Sequence, residues 1–288
     1  LSILGKSMRT VLSALSVLLA VVLTAAAVPS LWLERNVVDE GGFVRLLSPL
    51  RSDTEFQSAL GSALASTVVS ASGTPGAARG EASRLTEGLV RGITSDPGFP
   101  GAWDDTLRES HRLNFSPDTA STSAFTLQLR PLAGILLKRL GAGLGLSLGD
   151  APDIEVPVGT AQQRSWLTVM QSAASLAVPL TLGAVLAFVL GLLFARRRDV
   201  AFGWLGAGLL LVAAALGAAV FLGSTLAGGQ GGGGTVASVF AGRVGPLFAD
   251  AFMPWVAAVA ILGAVCLGLS IALGARRRRA SRAGSMGA

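Results

Sequence analysis

His111 is the sole histidine in a chain of 288 residues, and it closes the stretch "DDTLRESH", with Asp104, Asp105 and Glu109 just upstream. An imidazole with carboxylates nearby could hold a metal ion or serve as a general base. The helical spacing argues otherwise. Asp104 and Arg108 have the spacing of a solvated ion pair, whereas His111 continues the apolar series Phe99, Trp103, Leu107 in steps of one helical turn. The expectation is a hydrogen-bonded histidine at the edge of a core. A single histidine and the lone Cys266 rule out the common all-His and Cys-rich zinc sites, so neither metal nor cofactor is expected. Cys266 lies within a long apolar run and reads as a packing residue. "GGQGGGG", from Gly228 to Gly234, lacks the following Lys-Ser or Lys-Thr of a phosphate-cradling loop and reads as a linker.

What remains with binding potential is cationic. Lys138 and Arg139 stand beside Leu136 and Leu140, and Arg164 shortly precedes Trp166. Together these three predict a basic, partly apolar surface suited to an anionic lipid head group or an acidic partner. No residue can be named as catalytic.

The elements that must position these residues are set by hydropathy. A mean hydropathy of +0.61 with 14% charged residues is too apolar for an ordinary water-soluble domain. Four apolar stretches, near Val11–Leu33, Ala173–Ala195, Val200–Leu222 and Ala251–Ala275, approach the roughly 20 residues needed to cross a bilayer. Basic residues collect at one set of ends: Lys6 and Arg9, Arg196 to Arg198, Arg276 to Arg279, and Arg282. That side holds ten basic residues against Asp199 alone; the rest holds thirteen against sixteen acidic ones, which together make the net +6. By the positive-inside rule both termini and the "ARRRD" turn face the cytoplasm of a plasma-membrane protein. The arginines thus report topology, and no nucleic-acid partner is expected. Trp32, Trp166, Trp204 and Trp255 fall near span ends, where amphipathic rings prefer to sit.

The resulting organisation is a transmembrane anchor over 1–33 and an extracytoplasmic domain over 34–165. Spans two and three follow over 166–222 with their turn at 196–199, then a Gly-rich loop over 223–250, span four over 251–275 and a basic tail over 276–288. Ala25 and Ala27 give an A-x-A pattern, but the apolar run is too long for a signal peptide, so span one is expected to stay as an anchor.

Within 34–165, Asp39 is placed to cap a helix carrying Phe43, Leu46 and Leu47, interrupted by Pro49. Ser52 and Glu55 have capping-box spacing ahead of Phe56, Leu60, Leu64 and Val68. A further helix carries Leu85, Leu89, Val90 and Ile93, and another Phe99 to His111. "AFTLQL" and "DIEVPV" alternate as strands around a helix from Pro131 to Gly141, a length that permits a right-handed parallel crossover. The fold class is therefore a mainly α membrane protein: four transmembrane helices plus a mostly helical α+β domain with a minimal sheet. Gly183, Ala187 and Gly191 on span two, Ala213 with Gly217, and Ala264 with Gly268 offer small-residue faces for helix packing. No span has an ionisable residue at its centre, which argues against an ion-driven pump.

The order "WLERNVVDEGGFVRLLSPLRSDTEFQSAL", "FPGAWDDTLRESH", "TLQLRPLAGILLKRLGAGLGL" and "RRRDVAFGWLGAGLLL" resembles a family of uncharacterised actinobacterial integral membrane proteins. The resemblance implies the same four-span plan with a large extracytoplasmic domain between spans one and two, and brings no catalytic residues with it. Three functions are compatible with this reading. The first is a non-enzymatic envelope protein whose outer domain binds a partner protein, a lipid or a wall component. The second is an accessory subunit of a membrane transport or other membrane complex, and the third an extracytoplasmic hydrolase with unassigned carboxylates.

Overall fold

The computed structural model describes residues 2–71, 88, 92, 94–115, 126–144, 150, 151, 153–157, 161–228 and 236–285. The chain divides into two compact units, Leu1–Glu34 with Ser172–Leu222 and Ala249–Ala288, and Arg35–Gln171 with Gly223–Phe248.

The first unit contains the long apolar helices α1 (Ser2–Leu33) and α7 (Ala177–Phe194), and most of α8 (Arg198–Gly228) and α9 (Val236–Ser285). All four are long and apolar enough to cross a membrane. Leu15, Leu18, Leu182, Leu186, Leu211 and Ile261 point outward and are exposed. Water would not tolerate so much apolar surface; lipid does. The second span is shorter than its apolar run: the chain breaks at Leu176, and Pro179 sits in the first turn of α7, where its missing N–H costs nothing. Eighteen residues still rise about 27 Å, close to the hydrocarbon thickness. α8 begins just after Ala195 to Arg197, so "ARRRD" is a tight turn, with the Arg197 carbonyl accepting from the N–H groups of Val200 and Ala201.

Helix packing in this unit follows small residues. α1 packs along α7, with Val17 and Leu23 against Gly191 and Gly183 and the Ser13 hydroxyl donating to the Gly191 carbonyl at 2.8 Å. The span-two small face therefore does meet a neighbour. In α9 the expected pair does not: a Cβ on Gly268 would reach no neighbouring element within 4 Å, and Ala264 is exposed. The close approach is made instead by Gly263 to Gly206 of α8, where an added Cβ on Gly206 would lie 2.7 Å from the Gly263 carbonyl oxygen. Trp32 turns inward and ties α1 to α9, donating from Nε1 to the Ala251 carbonyl at 3.2 Å and meeting Phe252 edge-on.

A π-helical turn (Glu34–Val38) leads into the second unit, followed by α2 (Glu40–Leu47), a 3₁₀ turn (Ser48–Ser52) opened by Pro49, and α3 (Thr54–Ala71). Asp39 caps α2 as expected, accepting from the Gly42 N–H at 2.6 Å. At α3 the cap moves one residue. Asp53, not Ser52, accepts from the Phe56 N–H at 2.8 Å, because the 3₁₀ turn consumes Ser52, and Glu55 turns to Arg243 rather than back to the cap. Phe56 and Leu60 are buried; the side chains of Leu64 and Val68, and the helix expected around Leu85, Leu89, Val90 and Ile93, lie outside the described residues.

α4 (Phe99–Phe115) is the organising helix. Its stripe Phe99, Trp103, Leu107 and His111 is buried as the spacing required. It also holds β1 (Thr126–Gln128) through side chains one turn apart. Ser110 Oγ accepts from the Gln128 N–H at 2.9 Å and donates to the Thr106 carbonyl. The Asn114 amide donates to the Thr126 carbonyl at 2.7 Å and accepts the Thr126 N–H at 3.0 Å, as a partner strand would. After β1 come α5 (Arg130–Leu144), β2 (Glu155–Pro157) and α6 (Ala161–Ser175).

The strands pair antiparallel, with Leu127 opposite Val156, so the parallel crossover that the connection length permits is not the one made. A right-handed crossover requires its helix to lie across the sheet. Here α4 packs on β1, and α5 packs on α4. α5 also runs past Gly141 to Leu144. The described strands are three residues each, extended by the Leu129 N–H donating to the Ile154 carbonyl. Leu127, Leu129 and Ile154 are buried, while Phe125 and Val158 lie outside the described residues.

The segment after the Gly-rich stretch packs in this same unit. Val239 and Phe240 are buried, Phe240 meets Phe56 at 6.2 Å between ring centroids, and Arg243 pairs with Asp53 and Glu55. Residues 229–235, most of "GGQGGGG", lie outside the described residues.

Candidate functional site: a charged cleft between two helices

α4 has two working faces. One carries the Trp103 stripe into the core; the other presents Ala102, Asp105, Glu109 and Arg112 in steps of one helical turn, with Gly98 in the turn just before the helix. α5 answers with Pro131, Gly134, Ile135 and Lys138, again one helical face. Between them lies a cleft of about 670 Å³, completed by Gly101, Arg108, Arg130, Asp150 and Ala151. Its volume falls within the range of roughly 300–1,000 Å³ usual for small-molecule sites. Small residues keep it open: a Cβ on Gly101 would meet no atom within 4 Å, and one on Gly134 would come no closer than 3.9 Å to Ala151.

Most of the charge there is already matched. Arg108 binds Asp105 at 2.6 Å, Arg112 binds Glu40 at 3.2 Å, and Arg130 stands 3.7 Å from Asp153. The pair expected between Asp104 and Arg108 is not made. Arg108 turns to Asp105 instead, and Asp104 stands 3.8 Å from Arg51; that is an ion pair without a hydrogen bond, and the same Asp104 Oδ1 is buried with no hydrogen-bond partner.

His111 lies outside the cleft. It is 7% exposed, stacked on Phe115 with ring centroids 4.4 Å apart and tilted against Phe43. Its Nε2 donates to the Val37 carbonyl at 3.2 Å, which places the proton on that nitrogen. Burial pushes its pKa below the usual 6.5, opposed by the Val37 carbonyl and by the charge of Glu40. This is the core-edge histidine the spacing called for. Among the described residues no group of three His, Cys, Asp or Glu side chains is placed to hold a metal ion.

Of the three cations singled out from the sequence, Lys138 is exposed and lines the cleft. Arg139 follows it on α5 and Arg164 is on α6, but both side chains lie outside those described. The surroundings of Lys138 are not uniformly basic, since Asp105, Glu109 and Asp150 line the same cleft. Sequence reasoning missed Arg112, Arg130 and Asp150, and it weighed Glu109 only as a neighbour of His111. The signal was there in part: Asp105, Glu109 and Arg112 repeat at helical spacing on the face opposite Trp103. Compared with known families, curated proteins and solved structures, the chain matches none.

Proposed function

We propose that this is a non-enzymatic integral membrane protein of the cell envelope, whose polar unit (Arg35–Gln171 with Gly223–Phe248) lies outside the cytoplasm and binds a partner protein, a lipid or a wall component. In this reading the apolar helices anchor the chain in the plasma membrane, and both termini and Arg196 to Arg198 face inward, as the charge asymmetry favours. The observation that carries the reading is the preformed cleft between α4 and α5, open over Gly101 and lined by charges of both signs. Lys138 is its assigned binding residue; Arg139 and Arg164 extend the same proposal beyond the cleft.

The test uses the full chain purified from its native membrane in mild detergent. Wild type is expected to retain a partner or ligand. Gly101→Phe, which fills the cleft from a position where a Cβ clashes with nothing, is expected to lose it while eluting as the same folded species. An unchanged set of bound molecules would overturn the role of the cleft. Recovery of a multi-subunit complex insensitive to Gly101→Phe would favour an accessory subunit instead.

A further inference from the structure

The cleft sorts its charges into two groups. Arg108, Arg112 and Arg130 are each answered by a carboxylate. Three lining groups are not: among the described residues, Lys138 has no acidic partner, and Glu109 and Asp150 have no basic one. One unanswered cation therefore shares a half-open space with two unanswered anions.

Charge alone decides which ligands suit such a space. A purely anionic ligand would gain Lys138 and be opposed by both carboxylates. A purely cationic ligand would gain the carboxylates and be opposed by Lys138. A molecule carrying both charges satisfies both sets, and a mismatched charge is rejected by the groups left unpaired. The walls set the size. Gly98, Gly101, Ala102, Gly134 and Ala151 contribute almost no side-chain bulk, so the cleft admits a narrow molecule lying between the helices, and its roughly 670 Å³ is far too small for a folded partner.

Building on the reading of the cleft as a binding site, we propose that it takes a small zwitterionic ligand of the amino-acid or short-peptide class. The carboxylate of the ligand pairs with Lys138, and its ammonium group with Glu109 and Asp150. The arginine pairs hold the walls: Arg112 ties α4 to Glu40 of α2, and Arg130 ties the start of α5 to Asp153 before β2.

Dialanine is a suitable probe, measured by equilibrium binding to the full chain in phosphatidylcholine nanodiscs. N-acetyl-dialanine removes the ammonium, and dialanine amide removes the carboxylate. Each is expected to bind up to about fivefold more weakly than dialanine, the scale of one partly exposed ion pair. Lys138→Gln should abolish the preference for dialanine over its amide and leave the preference over the acetylated form. Glu109→Gln should reduce the preference over the acetylated form and leave that over the amide. Both positions are on the cleft surface, so neither substitution disturbs the core. Equal or tighter binding of the acetylated form would overturn the proposal in favour of an anion site, and equal or tighter binding of the amide in favour of a cation site. No binding of dialanine, or its displacement by phosphatidylethanolamine nanodiscs, would overturn the amino-acid class. In either of those cases loss of the native partner in Gly101→Phe would still support the cleft as a binding site, so the two readings fail separately.

Discussion

Trp103 is fully buried, edge-on to Phe56 with ring centroids 5.4 Å apart. Its neighbour Asp104 reaches Arg51 only at 3.8 Å and keeps an oxygen buried without a hydrogen bond. Trp103→Ala should therefore cost about 3–5 kcal/mol, the range for deleting a large buried aromatic. Asp104→Ala should cost under about 1 kcal/mol, because the pair is partly solvated and the substitution also removes an unsatisfied acceptor. Thermal unfolding of the full chain in detergent, followed by tryptophan fluorescence for Asp104→Ala and by circular dichroism for both, separates the two. Equal losses would refute the facing of α4. His111 makes a pH-dependent prediction. Its pKa is lowered in the folded chain, so below 6.5 the unfolded chain binds the proton more readily than the folded one. Stability is thus full above that value and falls as pH drops through it toward the lower folded value. His111→Gln should flatten this part of the stability curve as pH falls through 6.5; an unchanged slope would show that another group titrates there.

At the scale of elements, contact between α8 and α9 rests on Gly206 and Gly263. A side chain on Gly206 would collide with the Gly263 carbonyl and with Leu267, at 2.7 and 2.8 Å from Cβ. Those obstacles are partly backbone and cannot rotate away. Gly206→Leu should therefore force the helices apart and cost about 1–3 kcal/mol, as overpacking does. Gly268→Leu, on the open side of α9, should be nearly neutral in detergent. Comparing their midpoints of unfolding in a denaturing detergent series tests the contact, and similar midpoints would contradict it. The two strands carry a related lesson: Ser110 and Asn114 of α4 bond to the β1 backbone, so this short sheet depends on helix side chains as well as on its own ladder.

For the whole molecule, the decisive quantity is which side of the membrane each segment occupies. With Cys266→Ala as background, a cysteine at exposed Ser58 should react with an impermeant thiol reagent in intact cells. One at exposed Arg197, in the turn between α7 and α8, should react only after permeabilisation. The opposite pattern would reverse the proposed topology. Measured this way, orientation is independent of any ligand, so it can be established before a partner is known.

Hydropathy and charge along the chain determined the four apolar helices, the turn at Arg196 and Arg197, and the buried faces of α2 and α4. These depend on period, length and local composition, which a single stretch carries by itself. Asp39 as a cap and His111 at the core edge were legible for the same reason. The antiparallel pairing of β1 and β2, the choice of Arg51 for Asp104, the meeting of Gly206 with Gly263 and the cleft around Lys138 were not. Each depends on which two faces distant in sequence come together. Helical spacing names the residues on a face but is silent about the face opposite. Only the tertiary structure, by laying α5 on the second face of α4, put Lys138, Glu109 and Asp150 around one space.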